Sequence, residues 1–385
     1  MMPNRYLPGA TIGIIGSSMA SALLAQAAGR LGYRVASLVL EEKNPVRQFA
    51  SWQTVVETDT YNENALRFFA ERVDTISIET GILSNSQIQL LNELTELAMT
   101  NDLIALTTDR VIEKAFLDKE KCLVAPYSLV TSIEDIKEAI EYIGFPSILK
   151  ATQRHIEGAN DHVILYSEED YDKAIAKLEK HTAILEAWIP SERKVSVTVV
   201  RNERGEILIY PPFEVIDGGD SYGKHVRYPA NIDETVEREI NRIGQMLAES
   251  LALTGTLTVK FFVTSAGVLY INEASIGLGD EAIFTLGSMS LNHYEATVRG
   301  LVGLPLPNLY VNSPAAIALP VQNLNKENVY TQLMLRTDWG FALFNPMGNE
   351  EGHLEGQVIV TGDSIENCER QIQLTEITKI EPLSE

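Results

Sequence analysis

The stretch "TLTVKFFVTSAGVLYINEAS", residues 256–275, reads as two strands about a short turn and gathers the side chains best suited to chemistry. Asn272 and Glu273 close its second strand, and their side-chain oxygens suit magnesium. Such a pair is otherwise a plain polar strand end. A metal site would require a second carboxylate on the facing strand, where Lys260 stands instead. Its ammonium is expected to lie where the ion would, paired with Glu273, so that the fold persists without metal. Removing either partner would strand the other.

Other candidates lie further toward the N-terminus. Lys150 ends a buried strand just past Pro146, where a lysine either serves a nucleotide phosphate as a point charge or reaches solvent on its apolar stem. "LEAWIP" sets Glu186 beside apolar residues and Trp188, a composition that suits a hinge strand against an adenine ring. "VDTISIET" ends on Glu79, an exposed candidate. "GSSMAS" sits where a dinucleotide-binding loop has three glycines, but only Gly16 is present and Ser21 takes the third position. The backbone therefore cannot approach a pyrophosphate, which argues against a dinucleotide-binding dehydrogenase. The helix start there suits a single phosphate or is a plain strand-to-helix turn.

Histidines add little. His155 and His162 flank "IEGAND" at a spacing poor for a metal and read as a solvated loop. "NEEGHLEG" reads as a solvent-facing turn, and no Ser-His-Asp or Cys-His pattern is present.

The elements that must hold these residues follow from periodicity. "IGIIG" is a near-continuous apolar run, as in a parallel strand covered on both faces. "SSMASALLAQAAGRLGY" has helical spacing and stops at Gly32, so the chain opens as βαβ and the first hundred residues read as doubly wound. A helix over "TDRVIEKAFLDKEKC", the strand "APYSLV", a helix ending in "EAIEYIG" and the strand "PSILKA" follow. After a charged helix and "AILEAWIP" come a hairpin about Asn202–Gly205, a long helix "DETVEREINRIGQMLAESLAL" and the metal-like hairpin. From about residue 310 short strands such as "AAIALPV" and "GQVIVTG" indicate a small last domain. The class is mixed α/β and α+β, with domains expected at 1–110, 111–308 and 309–385.

At 385 residues the chain exceeds one ordinary core, and 45% hydrophobic with 22% charged residues is ordinary for a globular protein. A net charge of −22 argues against a polyanion-binding surface, so no nucleic acid is expected. No membrane span or signal peptide is expected, and two cysteines give no disulfide framework, which fits the cytoplasm.

Taken in order, "IGIIG", "GRLGYRV", "TDRVIEKAFL", "APYSLV", "GFPSILK", "IPSERKVSVTVV", "RGLVGLPLP" and "GHLEGQVIVTGDS" resemble the N5-carboxyaminoimidazole ribonucleotide synthetases (PurK family), over nearly the whole chain. The resemblance implies a three-domain ATP-grasp architecture with a biotin-carboxylase-like N-terminal domain, in a homodimer. It implies ATP and Mg2+, activation of bicarbonate as carboxyphosphate, and carboxylation of the phosphorylated substrate 5-aminoimidazole ribonucleotide. By position it assigns Arg110, Lys150, Glu186, Ala187, Trp188, Ile189, Asn272 and Glu273 to ATP, Glu273 also to metal, and Glu79 to the substrate side.

Departures from the family concentrate at this site. The "GGYDGKGQ"-like loop is replaced by His155–His162, with Ile156, Glu157 and Ala159 in place of its substrate-contacting and glycine residues. Lys194 replaces a ribose-binding glutamate and Lys260 a metal-binding one. "RPHNSGH" becomes "SIGLGDE", and the basic "RKMGH" becomes Asn349–His353. The charges are thus expected to suit a magnesium triphosphate poorly, unless Asp217, Asp280 or Glu281 rebuilds a metal site. A catalytically impaired paralogue that binds a small ligand or a partner without turnover, or an ATP-grasp ligase with a changed substrate, is the alternative reading.

Overall fold

A computed structural model describes residues 6–95, 97, 101–154, 162–218, 223–277, 279, 281–344 and 354–378. The chain opens with β1 (Thr11–Ile15), α1 (Met19–Arg30), β2 (Arg34–Val39), β3 (Trp52–Val55), α2 (Glu63–Ala70), β4 (Thr75–Ile78), α3 (Asn85–Leu94) and α4 (Asn101–Thr108). The strands lie in the order β3-β2-β1-β4, all parallel, as the apolar run at β1 requires. Ser18 caps α1 with its side chain, and Gly32 follows the helix at positive φ.

α5 (Arg110–Lys119) leads into a second, four-stranded antiparallel sheet of β5 (Tyr127–Val130), β6 (Ser147–Ala151), β7 (His162–Leu165) and β8 (Ala183–Ala187), ordered β5-β8-β6-β7. α6 (Ile133–Ile143) and α7 (Tyr171–Leu178) supply Ile136, Ala139 and Ala174 to a small core shared with Val130, Leu149 and Leu185.

The third sheet is the largest. β9 (Arg193–Arg201), β10 (Ile207–Ile209), β11 (Phe213–Asp217), β12 (Lys224–Tyr228), β13 (Gly255–Val263) and β14 (Leu269–Ile276) join β15 (Ala315–Pro320), β16 (Gly340–Phe344) and β17 (Glu355–Gly362). Their order is β14-β13-β9-β11-β12-β15-β17-β16, with β10 beside β9. The C-terminal strands therefore continue the same sheet, because β12 pairs antiparallel with β15.

α8 (Glu234–Ser250) lays Ile240, Ile243 and Leu247 on Val197, Val199 and Val259 of that sheet. Gly244 permits the close approach, since a Cβ there would lie 3.0 Å from Val199. α9 (Thr285–Ser288) and α10 (His293–Leu301) follow β14, and α10 packs between the large sheet and α1. α11 (Lys326–Leu335) and α12 (Ile365–Thr375) complete the C-terminal part. Among the described residues no helix is long and apolar enough to cross a membrane.

His293 opens α10 in the core, with Nδ1 3.1 Å from Thr285 Oγ1 and Nε2 3.3 Å from the Gly279 carbonyl oxygen. Burial pulls its pKa down to about 4. The unfolded chain, with an ordinary value near 6.5, binds more protons in the window between. Stability is thus complete above pH 6.5 and declines as pH falls toward 4, by about 1.4 kcal/mol per unit. Urea unfolding between pH 6.5 and 5 should show this slope, and His293→Gln should flatten it; parallel slopes would refute the assignment.

Candidate functional site

The site is built where the small sheet faces the hairpin edge of the large one, and α5 is the element between them. Asp109 caps α5, accepting the N–H groups of Val111 and Ile112, while Gln153 just after β6 donates to its carboxylate. Arg110, Glu113 and Lys114 then share one helical face. Arg110 Nη1 donates to the Ala151 carbonyl at 2.7 Å. Lys114 is 1% exposed; its ammonium donates to the Asn272 carbonyl at 3.0 Å and lies 3.8 Å from Glu186 Oε1. α5 therefore links both sheets through one lysine.

On the small sheet, β6 and β8 pair with Ile148 opposite Glu186, which makes Lys150 the diagonal neighbour of Glu186 on one face. Lys150 Nζ donates to Glu186 Oε2 at 3.0 Å. Lys150 thus holds a carboxylate rather than reaching past the strand end to solvent. Burial works to raise the Glu186 carboxyl, but Lys150 and Lys114 outweigh it and hold it below its ordinary range. Trp188 beyond it is 42% exposed, beside the strand expected to act as hinge.

The large-sheet side carries the opening hairpin as expected, with Lys260 directly opposite Glu273. The pairing then steps to Phe261 opposite Ile271, leaving Asn272 as the extra residue of a β-bulge. Lys260 Nζ lies 3.4 Å from Glu273 Oε2 and 2.8 Å from Glu281 Oε1. The other Glu273 oxygen accepts from Ser275 Oγ at 2.7 Å and from Arg154 Nη1. Arg154 also donates to Glu113, whose second oxygen accepts the Ala274 N–H. Burial would raise the Glu273 carboxyl, yet Arg154 and Lys260 hold it well below the usual carboxylate range. Burial would lower the Lys260 ammonium, yet Glu273 and Glu281 keep it above its ordinary value.

Magnesium does not fit this donor set. Both oxygens of Glu273 are engaged, and two cations stand beside it. A unit-charge pair at 4 Å in an effective dielectric near 20 is worth about 4 kcal/mol, so a divalent ion would meet substantial repulsion from Lys260 and Arg154. The acids that might rebuild a site are also committed: Glu281 to Lys260 and Asp217 to Lys194. Among the described residues no group of three metal-capable side chains converges. Ile156, Glu157, Ala159, Asp280 and Asn349–His353 lie outside the described residues.

Glu79 departs from expectation. It is half-buried rather than exposed, and its carboxylate accepts the Ser18 N–H at 3.2 Å and the Ser21 hydroxyl at 3.0 Å. The start of α1, where a single phosphate was one expectation, already carries this internal anion. Gly16 makes room for it at φ 142°, since a Cβ there would lie 2.3 Å from the Glu79 carboxylate oxygen.

Sequence reasoning found Lys260 and Glu273 but missed Glu113, Lys114, Arg154 and Ser275. The Arg110-Glu113-Lys114 spacing was a usable signal for the first two. Arg154 had none, because its carboxylate partner Glu273 comes from a remote strand.

Residues 115–294 match the model of the ATP-grasp domain, and residues 9–107 match that of the ribonucleotide synthetase preATP-grasp domain. With a parallel N-terminal sheet, a small antiparallel sheet and a large antiparallel one, the chain is an ATP-grasp protein. N5-carboxyaminoimidazole ribonucleotide synthase of Bacillus subtilis is 31% identical over 307 residues, 80% of each chain. A crystal structure of an ADP complex of N5-carboxyaminoimidazole ribonucleotide synthetase superposes with a TM-score of 0.86 at 29% identity, covering 97% of this chain and 98% of that one. The Aspergillus clavatus synthase solved with ADP and 5-aminoimidazole ribonucleotide shares the fold, with a TM-score of 0.82 at 18% identity over 96% and 98% of the two chains. The chain belongs to the N5-carboxyaminoimidazole ribonucleotide synthase family.

Proposed function

We propose that this chain carries out the family's reaction, the ATP- and bicarbonate-dependent carboxylation of 5-aminoimidazole ribonucleotide in purine biosynthesis. The observation that carries it is the Lys150–Glu186–Lys114 cluster, which sets a lysine and a buried acid on the small sheet beside the expected hinge residues. Glu186 fixes the Lys150 ammonium in position for a nucleotide phosphate, and Ala187, Trp188 and Ile189 offer the surface beside it for the base. Arg110, Asn272 and Glu273 complete the nucleotide side, and Glu79 lies on the substrate side.

In this reading a bicarbonate oxygen attacks the γ-phosphorus and ADP leaves. The exocyclic amine then attacks the carboxyl carbon and phosphate departs. The protein's part is to orient the reactants and to place positive charge where negative charge develops. The family resemblance also supports the division at 1–110, 111–308 and 309–385, a homodimer, and a cytoplasmic location.

A second reading is a paralogue that binds nucleotide without turnover. It is favoured by the engagement of both Glu273 oxygens by Arg154, Ser275 and Lys260. Phosphate release from ATP with 5-aminoimidazole ribonucleotide and bicarbonate separates the two. Release that requires both co-substrates, together with the carboxylated product, establishes the first reading. Nucleotide binding without release, and recovery of release in Lys260→Glu/Lys194→Glu, establishes the second.

A further inference from the structure

Glu273 is held between two cations. The ion pairs form two groups: Glu186 between Lys114 and Lys150, and Glu113, Glu273 and Glu281 held by Arg154 and Lys260. At Glu273 itself both carboxylate oxygens are engaged, one by Arg154 and Ser275 and the other by Lys260, so two cations stand where a divalent ion would bind.

The two cations at Glu273 differ in access. The Arg154 side chain is 8% exposed and held by two carboxylates, so it is fixed. The Lys260 side chain is 29% exposed. Its ammonium has three donors and serves two carboxylates among the described residues, Glu273 and Glu281. One donor therefore remains for a ligand oxygen.

We propose that Lys260, backed by Arg154, acts as a resident counter-cation in place of the divalent ion, so that the cleft binds nucleotide phosphates without metal. This rests on the nucleotide site proposed above and specifies how that site handles charge. Lys260 would contact the phosphates, while Arg154 would position it by holding Glu273.

The test is calorimetric titration of the full chain with ADP, once in EDTA and once in magnesium, alongside Mn2+ alone followed by electron paramagnetic resonance. The unmodified chain should bind ADP with affinities within twofold in the two buffers and should bind no Mn2+ at Glu273. Lys260→Glu should bind ADP at least tenfold more weakly in EDTA, recover in magnesium, and acquire a Mn2+ signal that Glu273→Gln removes. Lys260→Met, which adds no carboxylate, should weaken ADP binding equally in both buffers.

ADP binding by the unmodified chain that needs magnesium would overturn this inference alone. A Mn2+ signal from the unmodified chain that Glu273→Gln removes would do the same. Absence of ADP binding in both buffers would overturn the nucleotide site and this inference with it. Melting curves of each variant establish that a loss of binding is not a loss of fold.

Discussion

Arg154→Met should lower the unfolding free energy by about 3–5 kcal/mol in urea at pH 7, the largest single-residue effect expected in this protein. The substitution keeps most of the apolar stem but removes the guanidinium from between Glu113 and Glu273. Glu113 is 1% exposed, so its charge is left in the interior supported by the Ala274 N–H and the Lys114 charge alone among the described residues. Burial already lifts the Glu113 carboxyl above its ordinary range despite Arg154. Without that cation the carboxyl should take up a proton more readily. The deficit should therefore grow as pH rises from 5 to 8 and shrink on acidification, since the folded variant binds more protons than its unfolded chain.

Arg154→Met combined with Glu113→Gln keeps an acceptor for Ala274 and removes the charge. It should recover about 1–2 kcal/mol, a non-additivity expected of directly paired groups. A loss below 1 kcal/mol in the single variant, or simple additivity in the double, would show that this buried cluster contributes nothing particular to the fold.

Lys150→Met should weaken ADP binding by about 10- to 100-fold, the range expected when one hydrogen bond to a charged group is lost. The fold should persist, because Glu186 keeps Lys114 at 3.8 Å. Lys173→Met is the matched control. Lys173 lies on α7 in the same lobe and pairs with Asp170 at the surface, so its loss should leave ADP binding unchanged. Equal affinities for the Lys150 variant and the unmodified chain would remove Lys150 from the phosphate site and with it the main support for the proposed function.

The Lys260–Glu273 contact was legible because a tight antiparallel hairpin fixes which residues face each other. β1, α1 and the small-sheet strands β5, β6 and β8 were legible for a similar reason, since apolar spacing and caps are local signals. β7 was missed: His162, read as part of a solvated loop, is its first residue and pairs with Lys150. The bulge at Asn272 was not, because pairing register within a strand can shift without changing its composition. Arg154 escaped because its role depends on a carboxylate from the far end of the ATP-grasp domain. The Glu79 carboxylate was placed on the correct strand end but with the wrong surroundings. What shields it is the start of α1, which packing rather than spacing brings there.

The continuous large sheet has a mechanical consequence. Since β12 and β15 are hydrogen-bonded neighbours, the C-terminal strands and the hairpin bearing Lys260 form a single plate that cannot flex at the domain boundary without breaking a ladder. Among the described residues the small lobe's sheet shares no ladder with the plate; a single bridge from Val124 to Ile271, Arg154 through Glu273, and Lys114 hold the two together. Rocking of that lobe is the movement the architecture leaves open, and its stiffness is set by how firmly those two side chains hold.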